Sequence, residues 1–462
     1  MTREERIILC IVCLGALLFF NSLGSINVAL PGIQREFGVS LSVVQWVSVM
    51  GAVMIATLSL CFGRAGDIMG RRKLYLAGIV LYGLGSGLGA LSGSMTQLLV
   101  FRGVMTFGLA MAMPLSGAIL ATNFAPQRRG RALGWFASAC AIGRATGPAV
   151  GGLILYLYTW RAIFIMNLMV GIVVSAAVFV VLKGEEKTYP EPFDFFGSAA
   201  LLAAFPSLLI GLSLGARTQW AAPQIPYWFA AAAVGGAGFV WIEFHTRNPL
   251  IGPFFFRSLP FSGALLSIVA FSVMQTPVNI FGPIYMDNVL NFSPVLVGLV
   301  MTALPVFTAL SSPFSGRLAD QFDARYVSVL GLVFLVAGIW LYSLLGSGSH
   351  YLRVAAALAL NGAGVGFFMP ANQRTAFEAV GQEHYGIVSA MLASFNVGAG
   401  TLGVSVMVAL MEHLLGGGGF GNPAAFAAAQ QFSFRTFLPL AGVTMGMLLL
   451  GDIRKLRKII RS

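Results

Sequence analysis

Fourteen apolar stretches, at 7–30, 43–63, 74–93, 97–122, 132–157, 162–182, 196–216, 227–244, 261–286, 295–316, 326–346, 351–373, 386–414 and 434–451, leave this chain little choice of solvent. A helix of about 20 apolar residues spans the hydrocarbon core of a bilayer. Inside that core the backbone finds no water, so each stretch must satisfy its own hydrogen bonds as a helix. The reading is an all-α polytopic membrane protein with fourteen spans. The first stretch is long for a signal peptide and lacks a small-x-small cleavage site, so it reads as a helix that stays.

Charge is sparse, at 10% of residues against 57% hydrophobic, and it is ordered. The net charge of +12 is not one patch that would suit nucleic acid. Under the fourteen-span topology, Lys and Arg gather on the face that carries both termini. The opposite face holds only Arg35, Arg161, Arg217, Arg353 and Arg435. That asymmetry predicts cytoplasmic termini in a bacterial inner membrane, with the tail Arg454–Arg461 near anionic lipid. Cys10-x-x-Cys13 has redox-motif spacing, but both thiols fall within one apolar run with no second pair. The four histidines are scattered. No metal site, cofactor or phosphate-binding Gly-x-x-x-x-Gly-Lys motif is expected, and no clustered His, Asp or Glu suggests an enzyme.

The chain also repeats itself. Gly108-Leu-Ala-Met-Ala-Met-Pro114 returns as Gly364-Val-Gly-Phe-Phe-Met-Pro370, with Gly130 and Gly386 following at the same interval, an offset of 256 residues. Gly63-Arg-Ala-Gly-Asp67 returns as Gly316-Arg-Leu-Ala-Asp320, offset by 253. Related halves around a midplane site are a common plan of secondary transporters. The predicted units are an N-terminal six-helix bundle at 1–183, a linker with two extra helices at 184–258, and a C-terminal six-helix bundle with a basic tail at 259–462.

Two motifs stand out. Gly63-x-x-x-Asp67-x-x-Gly70-Arg71-Arg72-Lys73 joins two helices by a tight turn that glycine permits; its weaker copy runs from Gly316 through Asp320 to Arg325. In the fifth run, Gly143, Gly147 and Gly151 recur every fourth residue on one helix face, where a second helix can approach closely. Gly152 follows, and Pro148 frees a carbonyl and permits a bend. The bland reading of these glycines is simple helix packing.

On these motifs the sequence resembles the major facilitator superfamily. The match to its exporters lies in the Gly-Pro helix, and Trp160-Arg161-Ala-Ile-Phe164-Ile-Met-Asn167 resembles the family's stretch between helices five and six. Asn27-Val-Ala-Leu-Pro31, Gln45-Trp46, Tyr285-x-x-x-Val289, and Glu243 with Pro249-Leu250 resemble its fourteen-helix drug–proton antiporter branch. The resemblance implies a latch on the cytoplasmic side at Asp67 and Arg71, echoed at Asp320 and Arg325, and a conformational role for the Gly-Pro helix. It also implies export of a small amphipathic compound by alternating access, with protons as the coupling ion. Where the branch usually has an acid in the first helix, this chain has Ser22, flanked by Asn21 and Ser25. The fourth-helix motif keeps Arg102 but has Met105 and Thr106 in place of Gln and Gly.

No carboxylate lies mid-helix, yet Arg102 and Arg144 do lie within helices, where a charge costs at least about 2.5–3.5 kcal/mol. They could bind an anionic substrate, so an anion exchanger or facilitator using both is the alternative function; they could equally be structural, paired with carbonyls, hydroxyls or lipid phosphate. Gln275, Asn279, Asn361 and Asn396 as a group are candidates for a polar cavity wall, though each alone reads sooner as an interhelical hydrogen bond than as a ligand contact. The expected partners are a small-molecule substrate and membrane lipids, and the expected state is a monomer.

Overall fold

The computed structural model describes every residue except 1, 40, 45, 182–193, 219–221, 247–248, 250, 347, 416–422 and 462. Gln45, Leu250 and most of the charged stretch that opens the linker therefore lie outside the described residues. The N-terminal half contains α1 (Arg3–Phe37), the single turn α2 (Leu41–Val44), α3 (Trp46–Met69), α4 (Arg71–Ala90), α5 (Met95–Asn123), α6 (Pro126–Leu157) and α7 (Trp160–Val181). Two linker helices follow, α8 (Phe195–Thr218) and α9 (Ile225–His245). The C-terminal half contains α10 (Leu259–Asn288), α11 (Pro294–Met301), α12 (Ala303–Gln321), α13 (Ala324–Tyr342), α14 (Tyr351–Glu378), α15 (Tyr385–Leu415) and α16 (Pro423–Arg461). The described residues are helical or loop, without strands.

Each apolar run falls on helix, and the run at 295–316 is divided between α11 and α12 at Thr302. Twelve helices are long and apolar enough over described residues to cross a membrane. α3 and α16, of 24 and 39 residues, occupy the two remaining runs. Side-chain caps fix several starts. Thr2 and Glu5 form a reciprocal capping box on α1, Ser94 caps α5, and Ser293 caps α11, each supplying an acceptor to an otherwise orphan N–H. Gly70, between α3 and α4, has φ +104°, a conformation that a side chain would strain.

The internal repeat reappears as paired contacts. Gly78 meets Gly108 across α4 and α5, and Gly331 meets Gly364 across α13 and α14. Gly85 lies against the backbone of Met105, and Gly338 against that of Asn361. Both members of each pair are related by the offsets seen in the sequence. The halves then meet along two seams, α3 with α15 and α6 with α12. A Cβ on Gly63 would lie 2.6 Å from the Gly386 carbonyl oxygen; one on Gly130 would lie 2.8 Å from that of Gly316. These seams are copies of one another, and they close at the face where the basic residues gather.

The linker helices break the symmetry. α8 packs on α3 of one half and α15 of the other. Ser405 Oγ donates to the Leu212 carbonyl at 3.1 Å, and Phe205 fills the space beside Gly398. α9 packs on α8 through Gly235 and Ala204; most of its residues are exposed, as suits a surface facing lipid.

The glycine face of α6 lies against α1. A Cβ on Gly143, Gly147 or Gly151 would come within 2.2, 2.6 and 2.7 Å of Leu17 O, Asn21 O and Ser25 Cα, whereas one on Gly152 meets nothing within 4 Å. Gly147→Val therefore forces the helices apart, at about 1–3 kcal/mol. It should lower the unfolding midpoint of the purified protein clearly, while Gly152→Val leaves it nearly unchanged.

Candidate functional site: a cavity between the halves

On the basic face each seam is sealed by a carboxylate on a helix start. Asp67, at the end of α3, accepts from the amides of Gly386 and Ile387 in the first turn of α15, at 2.8 and 3.0 Å. Asp320, at the end of α12, accepts from those of Gly130 and Arg131 in α6, at 2.8 and 2.9 Å. Helix N-termini carry partial positive charge and unpaired N–H groups, so a carboxylate is the fitting partner. Asp67 is also bonded to Arg71 Nε at 2.9 Å, and Arg71 reaches the Gln382 carbonyl of the other half.

The second copy differs from the sequence expectation. The arginine on Asp320 is Arg374, from the end of α14, at 2.7 Å. Arg325 instead pairs with Asp323, two residues before it, at 2.6 Å. Arg374 also bonds Glu378 and the Ala319 carbonyl. It lies 54 residues from Asp320 in sequence, and no local spacing announces it.

Beyond the seals the halves separate. Ser138 Oγ donates to the Ala309 carbonyl at 2.8 Å. Further along the same two helices, a cavity opens that has two adjoining lobes of about 720 and 610 Å³. Arg144, Gln275, Asn279 and Asn396 line both lobes. Phe271, Met301, Leu304 and Pro305 supply apolar wall. Arg144 comes from α6, one residue past Gly143, so the turn that puts the glycine against α1 turns the guanidinium into the cavity; its carbon lies 4.5 Å from the Phe20 ring centroid. Asn396 is held by Ser272, whose hydroxyl donates to its Oδ1 at 3.0 Å. No carboxylate is among the lining residues, and Arg144 is the one charged side chain there.

Four of the nine sequence candidates for substrate or coupling thus meet at one site. The other five lie elsewhere. Arg102 is 2% exposed inside the N-terminal half, where Nε donates to the Val47 carbonyl at 3.0 Å. Asn21 and Ser25 tie α1 to α6: Asn21 donates to Thr146 Oγ1 at 2.9 Å, and Ser25 to the Gly147 carbonyl at 2.8 Å. Ser22 is buried in the same half and Asn361 in the other, and neither lines the cavity. On the far face, Trp160 and Arg161 donate to Glu36. Burial pushes its carboxyl up, but the two hydrogen bonds and the Arg161 charge together hold it below its ordinary value.

Two repeated helical halves, a polar cavity between them and a seal on one side define a membrane carrier rather than a catalytic centre. The chain belongs to the Major Facilitator Superfamily, whose sequence profile matches residues 12–279 and 261–460. It is a multi-pass membrane transporter of small molecules and not an enzyme. It is 26% identical to the multidrug transporter protein MdtP of Bacillus subtilis over 89% of this chain and 76% of that one. It is 28% identical to the multidrug resistance protein Stp of Mycobacterium tuberculosis, over 88% and 76%. The riboflavin transporter RibZ of Clostridioides difficile is 26% identical over 85% of each chain. Among solved structures, the human organic anion transporter MFSD10 superposes with a TM-score of 0.69 at 18% identity, over 97% of this chain and 100% of that one. At that identity the likeness speaks for the fold.

The pairing at Asp320 makes a direct prediction. Arg374→Ala should impair transport about as much as Asp320→Asn does, because each removes the same largely buried ion pair beside the seam. Arg325→Ala, which breaks a pair with the exposed Asp323 that does not touch the other half and is worth about 0–1 kcal/mol, should have little effect in the same uptake or efflux assay.

Proposed function

We propose that this chain exports a small amphipathic compound by alternating access, exposing the central cavity in turn to the two sides of a bacterial inner membrane. The observation that carries this reading is the cavity itself: it lies between two repeated halves, part polar and part apolar, and is closed toward the basic face by the Asp67 and Asp320 contacts. The basic face is cytoplasmic by the distribution of Lys and Arg, and both termini lie there. Export is supported by the names of the multidrug relatives and by the glycine-proline helix. The chain acts as a monomer of fourteen spans, divided near residues 183 and 259, among membrane lipids.

In this reading Asp67, with Arg71, and Asp320, with Arg374, hold the cytoplasmic side shut and release when the halves rock. The coupling ion is the proton. Since no carboxylate lines the cavity among the described residues, proton exchange and substrate binding use different groups. A second reading, an anion exchanger or facilitator, is favoured by one observation: among the described residues, the only charge on the cavity wall is the cation Arg144. An arginine offers a planar fork of donors to a carboxylate, sulfonate or phosphate. Arg102, the other arginine of that reading, is not on the wall.

The test is accumulation of a mixed panel of lipophilic cations and organic anions in cells expressing the protein, with and without a protonophore. Reduced accumulation that the protonophore abolishes is the expected result for a proton-coupled exporter. Movement of anions that is indifferent to the protonophore and lost in Arg144→Ala would replace it with the exchanger. Export of every substrate surviving Arg144→Ala in a folded protein would remove Arg144 from the site.

A further inference from the structure

One contact between the halves is used neither by the carboxylate seals nor by the cavity. Tyr385 opens α15, next to the two residues whose amides reach Asp67. Its ring is 3% exposed. The guanidinium carbon of Arg129, on α6 of the other half, stands 5.1 Å from the ring centroid. That of Arg71 stands at 5.7 Å. Arg129 is itself 3% exposed, and its Nε has no acceptor among the described residues.

The repeat gives this contact its meaning. Tyr385 is the equivalent of Arg129, by the offset of 256 residues that relates Gly386 to Gly130. The glycine and carboxylate contacts of the seams occur in two copies: Gly63 on Gly386 and Gly316 on Gly130, Asp67 on α15 and Asp320 on α6. Two equivalent residues that touch each other lie on the axis relating the halves, so this contact occurs once. Arginine at both positions would place two buried cations face to face. The sequence instead puts a cation in one half and an aromatic face in the other, an arrangement whose attraction grows when water is excluded.

We propose that Arg129 and Tyr385 form the axial contact that holds the cytoplasmic side closed, and that their separation is part of its opening. Closed, the Arg129 guanidinium trades water for one ring face. Open, it recovers water and the ring loses both of its guanidiniums. The pair therefore sets how much of the time the protein spends sealed on this side. This proposal rests on the alternating-access reading.

The test reads conformation rather than transport. In the full-length chain with its four cysteines replaced by serine, a single reporter cysteine is placed either at Ser389→Cys or at Thr302→Cys. Ser389 lies between the halves on the sealed side, against Gly117, and Thr302 lines the cavity. Both are labelled with a hydrophilic maleimide in permeabilised membranes. Tyr385→Leu and Arg129→Gln should each raise the labelling rate at 389 by about fivefold or more and lower it at 302. Tyr385→Phe, which keeps the ring, should leave both rates close to the parent, and the double variant should go no further than either single one. A rise at both reporters would mean a loosened fold and would overturn the proposal. So would no change at either, or a Phe variant that behaves like Leu. Asp67→Asn and Asp320→Asn serve as controls: opposite changes for these but not for Tyr385→Leu sink the axial pair alone, whereas opposite changes for none of them sink alternating access with it.

Discussion

A carboxylate that reaches backbone amides near the start of a helix from the opposite half is the interaction on which the arrangement of this protein depends. Asp67 accepts from two amides in the first turn of α15, and Asp320 from those of the fifth and sixth residues of α6. The contact forms only if two backbones come close enough for a short aspartate to reach across. That is why glycines stand at 63, 130, 316 and 386: a Cβ at any of them would lie under 3 Å from the facing chain. Lipid offers no hydrophobic drive between apolar helices, so close backbone packing and hydrogen bonds of this sort must supply the specificity. The remainder of the interface follows from where these four glycines put the helices.

The cavity is the complement of that close fit. α6 and α12 run together at Gly130, Gly134 and Ser138 and then part, and the space between them is walled by residues such as Ala145, Pro148 and Pro305 that cannot fill it. Arg144 stands in that space rather than in hydrocarbon, which lets a mid-helix guanidinium keep solvent or a ligand for company. Arg102 meets the same cost differently, by donating to a backbone carbonyl inside one bundle. Two arginines in successive helices thus have unlike surroundings.

Much of the fold was legible because lipid makes the code simple: a long apolar run has to be a helix, and the fourteen runs fall where helices do. The repeat was legible because glycine pairs that bring helices into contact recur at fixed offsets. Sequence could not show which polar residues share a cavity. Asn21, Ser25 and Asn361 are polar residues within apolar helices just as Gln275 and Asn279 are, but the first group is packed in bundle interiors and the second lines the cavity. Likewise the partner of Asp320 is decided by where the end of α14 arrives, which places Arg374 there and leaves Arg325 with Asp323. Arg129 and Tyr385 could be matched only once the repeat was read as a symmetry axis as well as a duplication.

The helix α8 leans on both halves along one seam and on neither along the other. If the halves rock, the α3–α15 side must carry α8 and α9 with it or shear against them, while the α6–α12 side has no such passenger. The molecule would then move less like a clothes-peg, whose two cheeks part evenly, than like a book bound along one edge. The covers open widest at the fore-edge, and the fore-edge here is the seam that carries Arg144.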